Sequence, residues 1–166
     1  MSITFHQIDS KDREQVLMLF RKAAEKIDQM NIDHWQYWKN PPLEKINWMD
    51  DGIKNKEFFF IANENEEKIG MVRILNQDII YWGNTNDKAI YIHSLVILEE
   101  YNGQGYGSKV INQIEKQAIK NQCQFLRLDA VTSNTKLCKY YENLGFEKVG
   151  TKQMPSSLNS LYEKAL

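Results

Sequence analysis

Three glycines at alternate positions, Gly103, Gly105 and Gly107, lie between a strongly apolar run and an amphipathic one. Glycine lets the backbone approach a ligand closely, and successive N–H groups at the start of a helix form a concavity that suits an anion. The spacing therefore predicts a turn that could bind a pyrophosphate. The alternative is a tight strand-to-helix turn that needs positive φ and binds nothing.

Several nucleotide-binding motifs share such a turn, and the chain fits them poorly. A P-loop needs Lys followed by Ser or Thr, whereas here Ser108 precedes Lys109. A dinucleotide fingerprint needs glycine where Ser108 stands and places its turn after the first strand, although Asp129 lies roughly where that fold has its ribose-binding acid. An S-adenosylmethionine-dependent methyltransferase meets the same objection of position and has Tyr101 where an acid is expected. It stays a disfavoured alternative.

Composition limits the classes of protein further. The chain has 166 residues, of which 42% are hydrophobic and 26% charged, and its net charge is -1. These values are typical of a soluble single domain over residues 1–166, and they argue against nucleic acid or an anionic membrane as partner. Cys123 and Cys138 are the two thiols, and no Cys/His cluster has metal-binding spacing, so no metal is expected. No secretory signal is visible at the start, and a cytoplasmic location is the expectation.

The elements that must position these residues follow from the hydrophobic pattern. Ile79 to Trp82 is expected to be a short continuation of the strand run before it, and Gly145 is expected to stop a helix. The resulting order, β-α-α-β-β-β-α-β-α-β-β, is mixed α/β with one right-handed β-α-β crossover. Strands are predicted at 3–8, 58–62, 69–75, 89–98, 125–131, 146–150 and 160–165, and helices at 11–30, 43–53, after the glycine turn and at 135–144.

Three segments together carry a resemblance to a known family. They are Ile92–Ile97, the turn Asn102–Gly107, and Asn134 with the run Tyr140–Phe146 that follows it. An Asn seven residues before the Tyr of a Tyr-Glu-x-x-Gly-Phe end, combined with the glycine turn, resembles the GCN5-related N-acetyltransferase (GNAT) family. The resemblance covers residues 89–150 closely and the rest of the chain loosely.

The resemblance implies a GNAT-like acyl-CoA N-acyltransferase fold with a splayed central sheet flanked by helices, and acetyl-CoA as cosubstrate. Pantetheine would pair with the backbone of Leu95 and Ile97 as an added strand, and the N–H near Val96 would stabilise an oxyanion. Asn134 would hold the pantetheine, or serve as a helix N-cap, or both. Asn102 stands where the family has Arg or Gln. The implied pyrophosphate contacts come from Asn102, Gly103, Gln104, Gly105, Tyr106, Gly107 and Ser108.

The same resemblance implies direct acetyl transfer to a primary amine of a small molecule or peptide. Tyr141 would protonate the departing thiolate, and His93 would be the base, with a structural histidine as the alternative. Trp35, Trp38 and Asp129 are candidates to contact the acceptor amine, although core packing of the tryptophans is equally open. A non-catalytic acyl-CoA-binding module is the alternative function. The protein is expected to be a monomer or a homodimer.

Overall fold

The computed structural model describes all 166 residues, and their contacts divide them into two compact units. The first unit consists of Met1–Ile74 and Ser94–Gly107, and the second consists of Leu75–His93 and Ser108–Leu166. Strand β4 (Ala89–Ile97) is common to both, since its residues through His93 belong to the second unit and the remainder to the first. A single domain over residues 1–166 stays a prediction.

The first unit has strands β1 (Thr4–Gln7), β2 (Phe58–Ala62) and β3 (Lys68–Leu75), with helices α1 (Arg13–Gln29) and α2 (Leu43–Lys54). Antiparallel pairing joins β1 to β2 and β2 to β3, so the predicted strands at 58–62 and 69–75 form a hairpin. The apolar stripe of α1 is buried because it packs in one cluster with α2 and the strands. The buried members of this core include Val16, Leu19, Phe20, Ala24, Trp38, Met49, Ile53, Phe58, Phe60 and Met71.

The second unit is formed by residues of the later half of the chain. Its elements are α3 (Ile79–Trp82), the start of β4, most of α4 (Tyr106–Lys120), β5 (Phe125–Val131), α5 (Thr135–Asn143), β6 (Glu147–Gln153) and β7 (Leu158–Ala165). Strand β5 pairs with β4 in parallel and with β7 antiparallel, and β6 is antiparallel to β7. The parallel β4–α4–β5 connection and the mixed α/β class are as predicted, with helices flanking an open mixed sheet.

The prediction that Ile79–Trp82 continues the preceding strand run is wrong, because these residues form helix α3. The Asp78 carboxylate accepts a hydrogen bond from the Tyr81 N–H at 3.3 Å and thereby caps the helix. Ile79 and Ile80 remain 62% and 55% exposed, so no packing against a neighbouring strand stabilises the extended conformation that isoleucine prefers. No helix of the protein has both the length and the apolar character required to cross a membrane.

Candidate active site

His93, the proposed base, lies between two carboxylates of the second unit. Its Nε2 is 2.6 Å from Oδ2 of Asp78, and its Nδ1 is 3.5 Å from Oδ1 of Asp129. The three side chains are only 12%, 5% and 9% exposed, in the order His93, Asp78 and Asp129. Buried charges require partners of opposite sign, so the two carboxylates would stabilise the imidazolium that forms when His93 takes up a proton.

Asp78 is held in place by the helix that follows it. One carboxylate oxygen caps α3 through the Tyr81 N–H, and the other faces His93. The ring of Tyr81 also packs against the imidazole, with 5.0 Å between ring centroids. The four-residue helix therefore fixes both the carboxylate that binds His93 and an aromatic ring beside it.

Asp129 reaches the cluster from the middle of β5. Asn159 on β7 donates a hydrogen bond from its Nδ2 to Oδ2 of Asp129 at 2.7 Å. Burial raises the pKa of Asp129, and the charge of Asp78 raises it further, while His93 and the Asn159 hydrogen bond act in the opposite direction. The carboxylate is thus poised to share a proton with its histidine neighbour.

Strand β4 changes conformation directly after His93. Ser94 is buried and has φ of 52°, in the left-handed region that a serine rarely adopts inside a strand. The parallel pairs with β5 cover Ala89 to Ile92. Such an irregularity bends a strand and re-aims the groups that follow it, and here these are Leu95, Val96 and Ile97, whose backbone is expected to bind the donor.

The glycine turn of the first unit has the backbone that the sequence predicts. Gly103 and Gly105 have φ of 75° and 80°, and a Cβ at Gly103 would meet nothing within 4 Å. Helix α4 starts at Tyr106, so its first N–H groups follow the turn directly. Tyr106 itself is 5% exposed and packs its ring edge against Tyr101, which leaves its backbone rather than its side chain for an anion.

The amide Nε2 of Gln104 donates to the carbonyl of Glu100 at 3.0 Å and so braces the same turn. Asn102 is exposed and ends the short 3-10 turn Glu99–Tyr101 with extended backbone. The side chains at these two positions therefore shape the turn, which leads directly into the first residues of α4.

Helix α5 carries the other two residues of the predicted motif. Asn134 caps it, since its Oδ1 accepts the Leu137 N–H at 3.1 Å, and its Nδ2 is left to donate elsewhere. Tyr141 is 9% exposed and packs on Phe146 and Tyr162, whereas Tyr140 is 37% exposed. The two adjacent tyrosines therefore occupy different faces of the helix. Burial, reinforced by the charge of Asp129, raises the pKa of Tyr141, so the phenol is neutral at physiological pH.

The two tryptophans predicted at the acceptor site belong to the first unit. Trp38 is 3% exposed and stacks on Phe20 with 3.9 Å between ring centroids, which is core packing. Trp35 is partly buried, has φ of 61°, and meets Phe20 edge to face. Trp35 thus keeps some surface that an acceptor could contact, and Trp38 keeps almost none.

The geometry adds two residues that sequence reasoning missed, Asp78 and Asn159. Asp78 falls 15 positions before His93, and its one local signal is an acid directly before a helix. Asn159 meets Asp129 only through the register of β5 with β7. Asp78, His93 and Asp129 also offer ligand atoms within 4.8 Å of one another, which could suit a metal ion. Each ring nitrogen of His93, however, already faces a different carboxylate.

Known proteins resemble this chain along most of its length. A family model described as the acetyltransferase (GNAT) family matches residues 24–146. The uncharacterised N-acetyltransferase YesJ of Bacillus subtilis (strain 168) is 25% identical over 162 residues, 94% of this chain and 86% of that protein.

Solved structures share the fold. A GNAT-family acetyltransferase of Listeria monocytogenes 4b F2365 superposes with a TM-score of 0.78 at 22% identity, covering 99% of this chain and 95% of the other. The aminoglycoside acetyltransferase AAC(6')-Ib in complex with coenzyme A gives a TM-score of 0.72 at 18% identity, with the same coverage.

Proposed function

The chain belongs to the acetyltransferase (GNAT) family, and we propose that it transfers an acetyl group from acetyl-CoA directly to a primary amine of a small molecule or peptide. The observation that carries the proposal is the buried cluster of His93 with Asp78 and Asp129, next to the neutral phenol of Tyr141. Acetyl transfer from a thioester to an amine needs a group that accepts a proton and a group that donates one. The cluster and the phenol supply both.

The residues of the glycine turn fit a donor that carries a pyrophosphate. Positive φ at Gly103 and Gly105 and the open space above Gly103 let a phosphate approach the backbone, and the start of α4 adds partial positive charge. We assign the amides of Gln104, Gly105, Gly107 and Ser108 to this contact. A backbone site of this kind needs no net positive charge on the protein, in agreement with the overall charge of -1.

The pantetheine arm is assigned to the backbone of Leu95 and Ile97 and to the free Nδ2 of Asn134. The left-handed Ser94 supports the first assignment, because a strand that bends there presents its next N–H and C=O groups to a new partner. The capping bond of Asn134 supports the second, because it fixes the direction of the remaining amide protons. The N–H of Val96 is proposed to stabilise the oxyanion, as a rigid backbone donor can.

When bound, the donor supplies an acetyl group activated as a thioester. His93 then removes a proton from the attacking amine, directly or through a neighbouring group, and its carboxylate partners stabilise the imidazolium that forms. Tyr141 donates its phenolic proton to the sulfur. Because burial raises the pKa of Tyr141, the phenol donates only as the thiolate develops, and it does not ionise beforehand.

The acceptor is proposed to be cationic before it reacts. Buried carboxylates at Asp78 and Asp129 favour an ammonium group over a neutral or anionic one. Of the two tryptophans predicted to contact the acceptor, Trp35 keeps exposed surface and Trp38 keeps almost none. One protein of similar fold is an aminoglycoside acetyltransferase.

The composition of the chain is the basis for our proposals on its location, oligomeric state and partners. We infer that the enzyme works in the cytoplasm as a monomer or homodimer, without metal, nucleic acid or membrane as partner. The two buried free cysteines and the near-neutral charge support this. A chelator should therefore leave turnover unchanged, and loss of turnover that Zn²⁺ or Mn²⁺ restores would instead identify the His93 cluster as a metal site.

Two measurements test the function. Titration calorimetry with acetyl-CoA and with S-adenosylmethionine should give binding heat for the first ligand only, and the reverse would favour a methyltransferase. A thiol-release assay over polyamines, aminoglycosides, lysine analogues and peptide N-termini should then give turnover. Binding of acetyl-CoA without turnover on any amine would support the alternative of a non-catalytic acyl-CoA-binding module.

A further inference from the structure

We propose that Asp78 positions His93 and receives its Nε2 proton, so that the proton released by acetyl transfer leaves the enzyme through the polar cavity beside Asp78. The inference rests on the proposed function, because it concerns the fate of a proton that only acetyl transfer to an amine releases. It assigns to the loop before β4 a role that neither the motif nor the fold specifies.

The stoichiometry of the reaction requires that one proton leave the active site. An ammonium acceptor R–NH3⁺ and a thioester give an amide R–NH–CO–CH3, a thiol and one proton. Two N–H bonds break, one N–C bond forms, and the C–S bond breaks with its electron pair on sulfur. Tyr141 provides the proton that sulfur takes, and is reprotonated by one of the two that nitrogen loses. The other proton must reach solvent.

The two contacts of His93 differ enough to give the transfer a direction. The Nε2–Oδ2 distance to Asp78 is 2.6 Å, a charge-assisted hydrogen bond, whereas Nδ1 is 3.5 Å from Asp129. The short bond places the ring proton of neutral His93 on Nε2 and leaves the lone pair on Nδ1, towards Asp129. The incoming proton therefore arrives at Nδ1, directly or by way of Asp129, and the Nε2 proton passes to Asp78.

Asp78 connects this site to water. Together with Asn76, Asn84, Thr85, Asn86 and Asn121 it lines a cavity of about 780 Å³. The rim residues Asn84 and Asn86 are exposed, so water enters the cavity. Its amide and hydroxyl groups suit ordered water. A proton on Asp78 thus has a polar route to solvent that does not return past Asp129.

The charged and titratable groups that the structure sets against His93 define what a titration will report. They include Asp78, which precedes α3, Tyr81 from α3 and Asp129 from β5. Asn159 and Tyr141 influence the cluster through Asp129. A change at Asp78 should therefore alter the titration of His93 while the donor-binding turn stays as it is.

The test compares Asp78→Asn with Asp87→Asn. Asparagine keeps the oxygen that caps α3, but its amide would donate to Nε2 and reverse the ring tautomer. Asp87 lies in the same loop and lines the same cavity, yet it binds Arg127 at 2.6 Å, and Arg127 retains Glu163 and Tyr91 as partners. Asp87→Asn thus makes the same charge change beside the same cavity without touching His93.

We expect Asp78→Asn to lower kcat by about tenfold or more, with unchanged KM for acetyl-CoA, and to move the acidic limb of kcat/KM to lower pH. Asp87→Asn should leave kcat and the acidic limb of kcat/KM at their wild-type values. Equal kcat and equal limbs in the two variants would overturn the inference. If Asp78→Asn does not fold, Asp78→Ser retains an N-cap oxygen without the charge and serves instead.

A second readout does not depend on turnover. Side-chain ¹⁵N NMR of the free enzyme above the His93 titration should show the Nε2–H tautomer in the wild type and Nδ1–H in Asp78→Asn. The Nδ1–H tautomer in the wild type would overturn the inference even if acetyl transfer is observed. Absence of turnover in the wild type on every amine would instead count against the proposed function, while the tautomer still reports on Asp78.

Discussion

Asn159 on β7 donates a 2.7 Å hydrogen bond to Asp129 on the neighbouring strand β5, and yet the pKa of Asp129 is raised above its ordinary value. Burial is the larger effect, since it penalises the ionised carboxylate more than Asn159 and His93 stabilise it. The molecule therefore keeps an acid at this position at a cost in stability. Such a cost is typical of functional sites.

Replacement of Asp129 by Asn should stabilise the fold at neutral pH and reduce turnover. Because the pKa of Asp129 is raised in the folded protein, its ionised form lowers the free energy of unfolding at high pH. This cost vanishes below the ordinary pKa of 3.8, where the carboxylate is protonated in both the folded and the unfolded protein. The gain in Tm should thus be larger at pH 8 than at pH 4. A lower Tm at pH 8, or a gain that is independent of pH, would contradict the assignment.

A second pH effect is expected in the first unit, at His34. Burial lowers the pKa of His34 to about 4, and Lys45 contributes to the shift, although Asp33 opposes it. The unfolded chain takes up a proton near pH 6.5 while the folded chain does not, so stability is lost as pH falls from 6.5 towards 4. The loss between pH 7 and pH 5 should be on the order of 1–2 kcal/mol in denaturant unfolding.

His34→Gln should remove most of that acid-side loss. His6→Gln is the matched control, because His6 is exposed, with 51% of its side-chain surface accessible. Both variants replace one histidine, and only the first should flatten the dependence of unfolding free energy on pH. If both variants flatten the pH dependence of the unfolding free energy equally, or if neither does, the loss originates at another group.

The fold was largely predictable because its strongest signals are local. Local patterns indicate three elements clearly. They are the apolar run of β4 (Ala89–Ile97), the alternate glycines of the turn and the helical hydrophobic period of α4. The first helix shows the limit of such signals. The sequence predicts a helix from residue 11, but residues 10–12 form a 3-10 turn that Asp9 caps, and the α-helix begins at Arg13.

The candidate site could be predicted from the sequence only in part, and the catalytic roles of its residues stay predictions. His93, Asp129 and Tyr141 could be selected from the sequence, but the partners that set their protonation could not. Asp78 reaches His93 through the path of a loop, and Asn159 reaches Asp129 through strand register, neither of which has a periodic signal. Aromatic clustering likewise does not distinguish a pocket from a core, as buried Trp38 illustrates.

Tyr141→Phe should lower kcat by about 10²-fold or more with little change in KM for acetyl-CoA, because the phenol acts on the sulfur only as the C–S bond breaks. Phenylalanine fills the same space against Phe146 and Tyr162, so the variant should fold. Tyr140→Phe is the comparison variant, since it removes the adjacent hydroxyl, which hydrogen-bonds to Ser108 and lies on a residue that is 37% exposed. A wild-type kcat in Tyr141→Phe would exclude the assigned role, and equal losses in both variants would indicate a general effect on α5.

Gly103→Ala should weaken acetyl-CoA binding and leave the rest of the protein intact. Its φ of 75° disfavours any residue with a Cβ, by about 1 kcal/mol, although the space around it is open. The turn should therefore relax to negative φ and move its amides away from the pyrophosphate. Gly150→Ala is the control, since space is open there as well and φ is not positive. We expect Kd for acetyl-CoA to rise about tenfold in Gly103→Ala alone, by calorimetry. An unchanged Kd would mean that this turn does not bind the donor.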